Sequence, residues 1–246
     1  MHDMYRKLFS ALALAFTLPV ILTSCIMYHP QTADIPLIEK KGDLRVEASA
    51  WASVLVVPDG VGGSATVSYG LTDWMAGQLH ASVQDAKNFN LQVAAGTYAP
   101  IERTVLESYA GLNYGKSYKD IGSTRKYEQE IASGPATTYY IQVNYGWTHL
   151  CNSHMDVGFG LKAGAFQPRY TCVGYGGEAP EKGQLLYEMT QVQTLVEPRV
   201  FLRVGGESVK LQLGLSYCMF SGSGFSDNAT FQYDPLSVSL GLSYRF

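Results

Sequence analysis

The chain closes on LSVSLGLSYRF, Leu236 to Phe246, and the reading of this stretch decides the fold. Leu236, Val238, Leu240, Leu242, Tyr244 and Phe246 alternate with Ser237, Ser239, Gly241, Ser243 and Arg245. Successive side chains of an extended chain point to opposite faces, so this segment is a two-faced strand, apolar on one side and small or polar on the other. Working backwards, Val209 to Met219 repeats the pattern, with Lys210, Gln212, Gly214, Ser216 and Cys218 on the polar face. Val196 to Val204, Met155 to Ala163 and Tyr139 to Trp147 follow, then Leu106 to Tyr114, Leu91 to Tyr98, Met75 to Val83, Ala65 to Leu71 and Leu44 to Val54. These make about ten strands of roughly ten residues, with eight to twelve compatible with the pattern, and that length suits a tilted strand crossing a bilayer. Pro198 has no N–H to give a sheet ladder and marks a bulge or a local break.

The links between strands alternate in length. Leu71–Trp74, Thr148–Ser153 and Gly205–Ser208 are short, whereas Ser117–Thr137, Pro168–Thr190 and Ser221–Pro235 are long. Short turns on one rim and long loops on the other suit a membrane barrel, with turns toward the periplasm and loops outside. The polar faces carry Arg45, Glu47, Glu107, Asp156, Lys162, Glu197, Arg199, Arg203, Lys210 and Arg245, mixed in sign and able to pair inside a lumen. The apolar faces carry aromatics at both ends: Tyr69, Tyr145, Trp147, Tyr244 and Phe246 near the short turns, and Tyr114, Tyr139 and Tyr217 near the long loops. Amphipathic rings bordering an apolar band are the girdles expected at two membrane–water interfaces.

The terminal Tyr244-Arg245-Phe246 resembles the C-terminal signal of bacterial outer-membrane β-barrel proteins, and the pattern over 43–246 resembles that broad class, porin-like or OmpA-like. The resemblance implies an all-β, antiparallel transmembrane barrel whose last strand, through Tyr244 and Phe246, engages the barrel-assembly machinery.

The other end reads as an address. Arg6 and Lys7 precede the apolar run LFSALALAFTLPVIL, Leu8 to Leu22. That run is short of the roughly 20 residues of a spanning helix. It ends in Leu22-Thr23-Ser24-Cys25, which resembles a lipobox. The resemblance implies a signal peptide over 1–24, removed by lipoprotein-processing machinery, and a covalent lipid (palmitate or another acyl chain) on Cys25. Removal of Asp3, Arg6 and Lys7 leaves 16 basic and 20 acidic side chains. Residues 25–42 then form a lipid-anchored connector without regular structure, Cys25 lying in the inner leaflet beside the first strand's periplasmic end. Ile26 stands where an inner-membrane retention signal would have Asp, in keeping with outward export.

Composition narrows the function. Charged residues make up 16% of the chain, against about 25% in ordinary soluble proteins, while Tyr and Gly number 17 and 25. No long basic run favours nucleic acid. Barrel enzymes need a Ser–His or Asp–His constellation at the extracellular rim. Here His2 is in the leader, His29 in the connector, His149 and His154 at a short turn, and only His80 on a lumen face, which argues against catalysis. His149, Cys151 and His154 cluster, but without a fourth ligand at matched spacing they read as surface decoration, so no metal or other cofactor is expected. EKKG and STRKYEQE read as solvated faces. A Cys172–Cys218 disulfide is permitted by an oxidising compartment and left open by the sequence.

The expectation is an outer-membrane lipoprotein barrel with a structural or surface-binding role, its interior packed with paired charges. Its partners would be outer-membrane lipid and the two assembly machineries; ligand and oligomeric state are not legible. The alternatives are a narrow channel for small solutes and a soluble β-sandwich lipoprotein.

Overall fold

Ten mutually complementary two-faced strands can satisfy every backbone group only by closing on themselves, and they do. The computed structural model describes residues 28–30, 33–54, 60–124, 126–177, 183–221, 233 and 235–246; the leader and Cys25 lie outside them. β1 (Leu44–Ser53), β2 (Val61–Gly70), β3 (Met75–Asp85), β4 (Asn88–Ile101), β5 (Thr104–Gly122), β6 (Gln129–His149) and β7 (Met155–Pro168) pair in succession, all antiparallel. β8 (Tyr170–Tyr175) and β9 (Gln184–Met189) form a hairpin on the far half of β6. β10 (Gln193–Gly205) pairs with β7 and with β11 (Val209–Tyr217), and β12 (Met219–Ser221) continues along β10. β13 (Leu236–Arg245) pairs with β11 and closes the ring on β1, from Arg45 opposite Arg245 to Ser53 opposite Ser237.

The apolar faces look out. Ile141 is 59% exposed, while its neighbour Gln142 is fully buried. Leu79, Leu91, Leu213 and Leu240 join Ile141 on the outside; Gln78, Gln92, Glu107 and Arg203 point in. A closed ring with its apolar faces outward overturns the soluble-sandwich alternative, which needs those faces buried. Aromatic pairs flank the short turns: Tyr145 with Trp147 at 4.9 Å and Tyr244 with Phe246 at 4.3 Å.

The rims differ from expectation in detail. A single-turn helix, α1 (Leu150–Ser153), stands between β6 and β7. The long polar link expected over Ser117–Thr137 is largely strand, because β5 and β6 stay paired out to Gly122 opposite Glu130. Pro168–Thr190 contains the β8–β9 hairpin. On the long-loop rim, β3 and β4 are joined by two residues only, Ala86 and Lys87. Pro198 keeps its register opposite Leu161, yet on its other side the ladder lapses between Arg199–Ser216 and Val196–Met219. The missing N–H thus separates β11 from β12 without a bulge.

Candidate functional site

The interior holds a second chain segment. Residues 28–30 and 33–39, read as a connector beside the short-turn rim, instead thread the lumen. Ala33, Ile35, Leu37 and Ile38 are fully buried and Asp34 is 1% exposed. Pro30 and Pro36 favour the extended backbone that such a passage requires. Leu37 takes a left-handed turn (φ +54) within it, yet twelve residues reach up to roughly 36 Å at full extension, which leaves ample length for the ~25 Å of an outer-membrane apolar band.

The segment can be followed from rim to rim. At the long-loop mouth the Tyr28 hydroxyl donates to Glu197 Oε1 at 2.7 Å. Its ring meets Phe166 at 5.2 Å and Phe220 at 5.0 Å, with Tyr233 behind. His29 lies 4.7 Å from the Trp51 ring, its Nε2 3.0 Å from Gln84 Oε1. Further in, three consecutive backbone carbonyls are taken by side chains from three different strands. Gln142 of β6 donates to Ala33 O (3.3 Å), Gln78 of β3 to Asp34 O (2.7 Å) and Arg203 of β10 to Ile35 O. The Asp34 carboxylate pairs with Arg199 and accepts from Gln212 (2.9 Å) and Thr66 (3.2 Å). Below, Ile38 N donates to Glu107 at 2.8 Å, and Asn144 donates to the same carboxylate at 3.0 Å.

Apolar groups fill the space between these bonds. Ile35 and Leu37 pack with Val105 and Phe201, and Ile38 with Tyr98, Tyr109 and Tyr140. Each fully buried aliphatic side chain contributes about 1.5–3 kcal/mol relative to exposure. Glycines in the wall make the room: a Cβ on Gly160 would meet Ile35 Cδ1 at 2.8 Å, and one on Gly146 would meet Leu37 Cδ1 at 2.8 Å. Gly160→Leu is therefore expected to destabilise the folded barrel by about 1–3 kcal/mol through overpacking, with partial recovery on adding Ile35→Ala; unfolding temperatures of the three variants check this.

At the short-turn mouth the chain reverses through Lys41 and Gly42 and climbs back as β1. Gly42 takes φ +80, a left-handed conformation open to glycine at little cost, and donates to Gly70 O at 2.8 Å. Arg245 clamps this corner, reaching Glu39 and both oxygens of Asp43 at 2.9 Å, and His149 Nε2 lies 3.0 Å from Glu39. Burial pushes the Glu39 pKa up, but the bonds and charge of Arg245, helped by His149, outweigh it and hold it down, from 4.5 to about 2. A lowered pKa stabilises the fold above the ordinary value and loses that contribution as pH falls through the folded value. The unfolding temperature should drop between pH 4.5 and 2, and Glu39→Gln should flatten that drop.

The charges of the lumen balance only with the segment in place. Among the described residues the wall buries five cations (Arg45, Lys162, Arg199, Arg203, Lys210) against four carboxylates (Glu47, Glu107, Asp156, Glu197), apart from the Asp43–Arg245 clamp. Glu47 pairs with Arg203, Asp156 with Lys210 (2.7 Å) and Arg45 (3.7 Å), and Glu197 with Lys162 (3.0 Å). Asp34 supplies the fifth carboxylate, at Arg199.

No protein-family model and no characterised protein matches the chain in sequence. In three dimensions it is similar to the outer membrane protease OmpT from Escherichia coli, at 8% identity and a TM-score of 0.51, over 83% of this chain and 94% of that one. The chain has the fold of the outer-membrane β-barrels. It also aligns with the translocator domain of the autotransporter NalP from Neisseria meningitidis (12% identity, TM-score 0.47, 100% of this chain and 96% of that one). Omp33 from Acinetobacter baumannii aligns at 9% identity and TM-score 0.36, over 85% of this chain and all of that one.

In this outer-membrane-type barrel the ten charges on the polar faces fall as follows. Nine are buried in the lumen, and Arg245 is half-buried at the short-turn mouth. His80 faces the lumen, its Nδ1 2.8 Å from Thr66 Oγ1. His29, left without a role by the sequence, is carried by the threaded segment to the long-loop mouth, so the reading that no histidine reaches that rim is corrected. Gln84 and Trp51 are among its neighbours there, beside a small cavity of about 40 Å³ that Asn90 and Asn113 help to line. Tyr244 and Phe246 face outward at the closing seam. Cys172 and Cys218 are buried in one apolar cluster with Tyr28 and are not joined to each other. His149 turns to Glu39, and Cys151 is exposed at the short turn.

Proposed function

We propose that this protein is a sealed β-barrel of the bacterial outer membrane, lipid-anchored through Cys25, whose own N-terminal segment is a resident plug. Its role is structural or surface-binding rather than catalytic. The observation that carries this reading is the set of contacts over residues 33–38. Three carbonyls, one carboxylate and one amide of the segment are each taken by wall groups, and three aliphatic side chains fill the gaps. Under this proposal, a lumen filled in this way by the described residues closes the path to a solute. Lipid outside, the barrel-assembly machinery at Tyr244 and Phe246, and lipoprotein processing at Cys25 are its partners under this proposal.

The test is fractionation followed by conductance. The protein should be recovered with outer membranes, migrate as a folded band that shifts on boiling, and stay electrically silent in a planar bilayer. Steady single-channel currents from the unmodified protein would reject the sealed reading in favour of the narrow channel. Release from membranes by carbonate in a Cys25→Ala form, without a heat shift, would reject the barrel's place in the membrane.

A further inference from the structure

The direction of the threaded segment determines where the chain before it emerges. Glu39 lies at the short-turn mouth against Arg245 and His149. Tyr28 lies at the opposite mouth against Phe166 and Phe220, which belong to the long-loop ends of β7 and β12. The path therefore runs from the long-loop rim down to the short turns before β1 begins. Cys25 precedes Tyr28 by three residues, a reach of about 11 Å at full extension. The apolar band of an outer-membrane barrel is about 25 Å tall. With Tyr28 seated on Glu197, Cys25 cannot return to the short-turn side.

We infer that the mature N-terminus is threaded outward, so that Cys25 and its acyl chains lie on the long-loop, cell-surface side of the membrane and not in the inner leaflet. This rests on the reading of the chain as an outer-membrane barrel lipidated at Cys25. It goes beyond that reading by fixing the side of the membrane on which the lipid is held. The plug and the anchor become one device: a single extended strand of chain ties the lumen to the outer face. It also orders assembly. Acyl chains cannot pass a lumen already filled by side chains, so the β1–β13 seam must close around the segment after the N-terminus has been placed.

The experiment uses the full chain in intact cells. An epitope containing a protease site is inserted between Ile26 and Met27, and a second chain carries the same insert in the Gly206–Ser208 turn as the inward-facing control. Cells are grown with labelled palmitate. The N-terminal epitope should be recognised from outside, the turn epitope only after the outer membrane is permeabilised, and external protease should strip the lipid label from the barrel band. An N-terminal epitope seen only after permeabilisation, a turn epitope seen on intact cells, or a label absent or surviving external cleavage would each overturn the inference. The failure of the sealed reading is separate, since it shows as conductance from the uncut protein.

Discussion

Replacing Asp34 by alanine is expected to lower the stability of the folded barrel by about 3–5 kcal/mol, read as an earlier midpoint of the heat-induced gel shift. The size of the effect comes from what is left behind. Arg199 keeps two neutral acceptors, Ser216 at 3.0 Å and Ser239 at 3.3 Å, but loses the carboxylate paired with it in a buried site, and Gln212 and Thr66 lose their acceptor. Hydroxyls solvate a guanidinium incompletely, so the penalty is that of an uncompensated buried charge. Adding Arg199→Gln to Asp34→Ala should recover much of the loss, because no orphaned charge then remains. Asp34→Ala should also raise the frequency of transient conductance, since the segment's charged anchor deep in the lumen is gone. A midpoint that does not move, with no gain on the second substitution, would mean that Asp34 does not sit at Arg199.

Leu213→Arg is the second large effect. Leu213 is at the middle of β11, opposite Leu202 on β10 and Leu240 on β13, and points outward. On the surface of a soluble protein an exposed leucine exchanged for arginine changes stability by about 0.5 kcal/mol or less. In a lipid-facing position at mid-bilayer the same change costs about 2–4 kcal/mol, falling to about 0–1 near the interfaces. Leu213→Arg should therefore reduce outer-membrane recovery and the unfolding midpoint strongly. Tyr244→Arg, beside the short-turn rim, should be far milder. Equal small effects at both positions would place the apolar band in water.

Much of this architecture was legible because strand periodicity is a local property. Leu236 to Phe246 carries its two faces in its own residues, and a ring needs only more segments of the same kind; all ten stretches read from alternation contain strands of the barrel. The strand ends were less legible. β5 and β6 run well past their apolar stretches because paired backbone continues above the band, where side-chain polarity no longer alternates. The plug was missed for a different reason. Residues 28–39 show no period, and two prolines read as a linker when the contacts that order the segment come from strands more than 100 positions away, such as Gln142 and Arg203. Two signals were nevertheless present. Ile35, Leu37 and Ile38 are too apolar for a solvated connector, and the charges assigned to the lumen comprise six cations against four carboxylates. That excess requires acids from elsewhere, and Asp34 and Asp43 supply them.

The central claim is that residues 33–38 occupy the lumen, and amide hydrogen exchange on the folded protein in detergent measures this directly. The Ile38 N–H is bonded to Glu107 at 2.8 Å inside a closed ring of strands. It should exchange as slowly as the amides of β4 and β5 around it, and much faster in an Asp34→Ala, Glu107→Ala double variant. Exchange of Ile38 at the rate of an unstructured peptide, in a barrel whose strands remain protected, would contradict the account, for the lumen would then be empty of the segment.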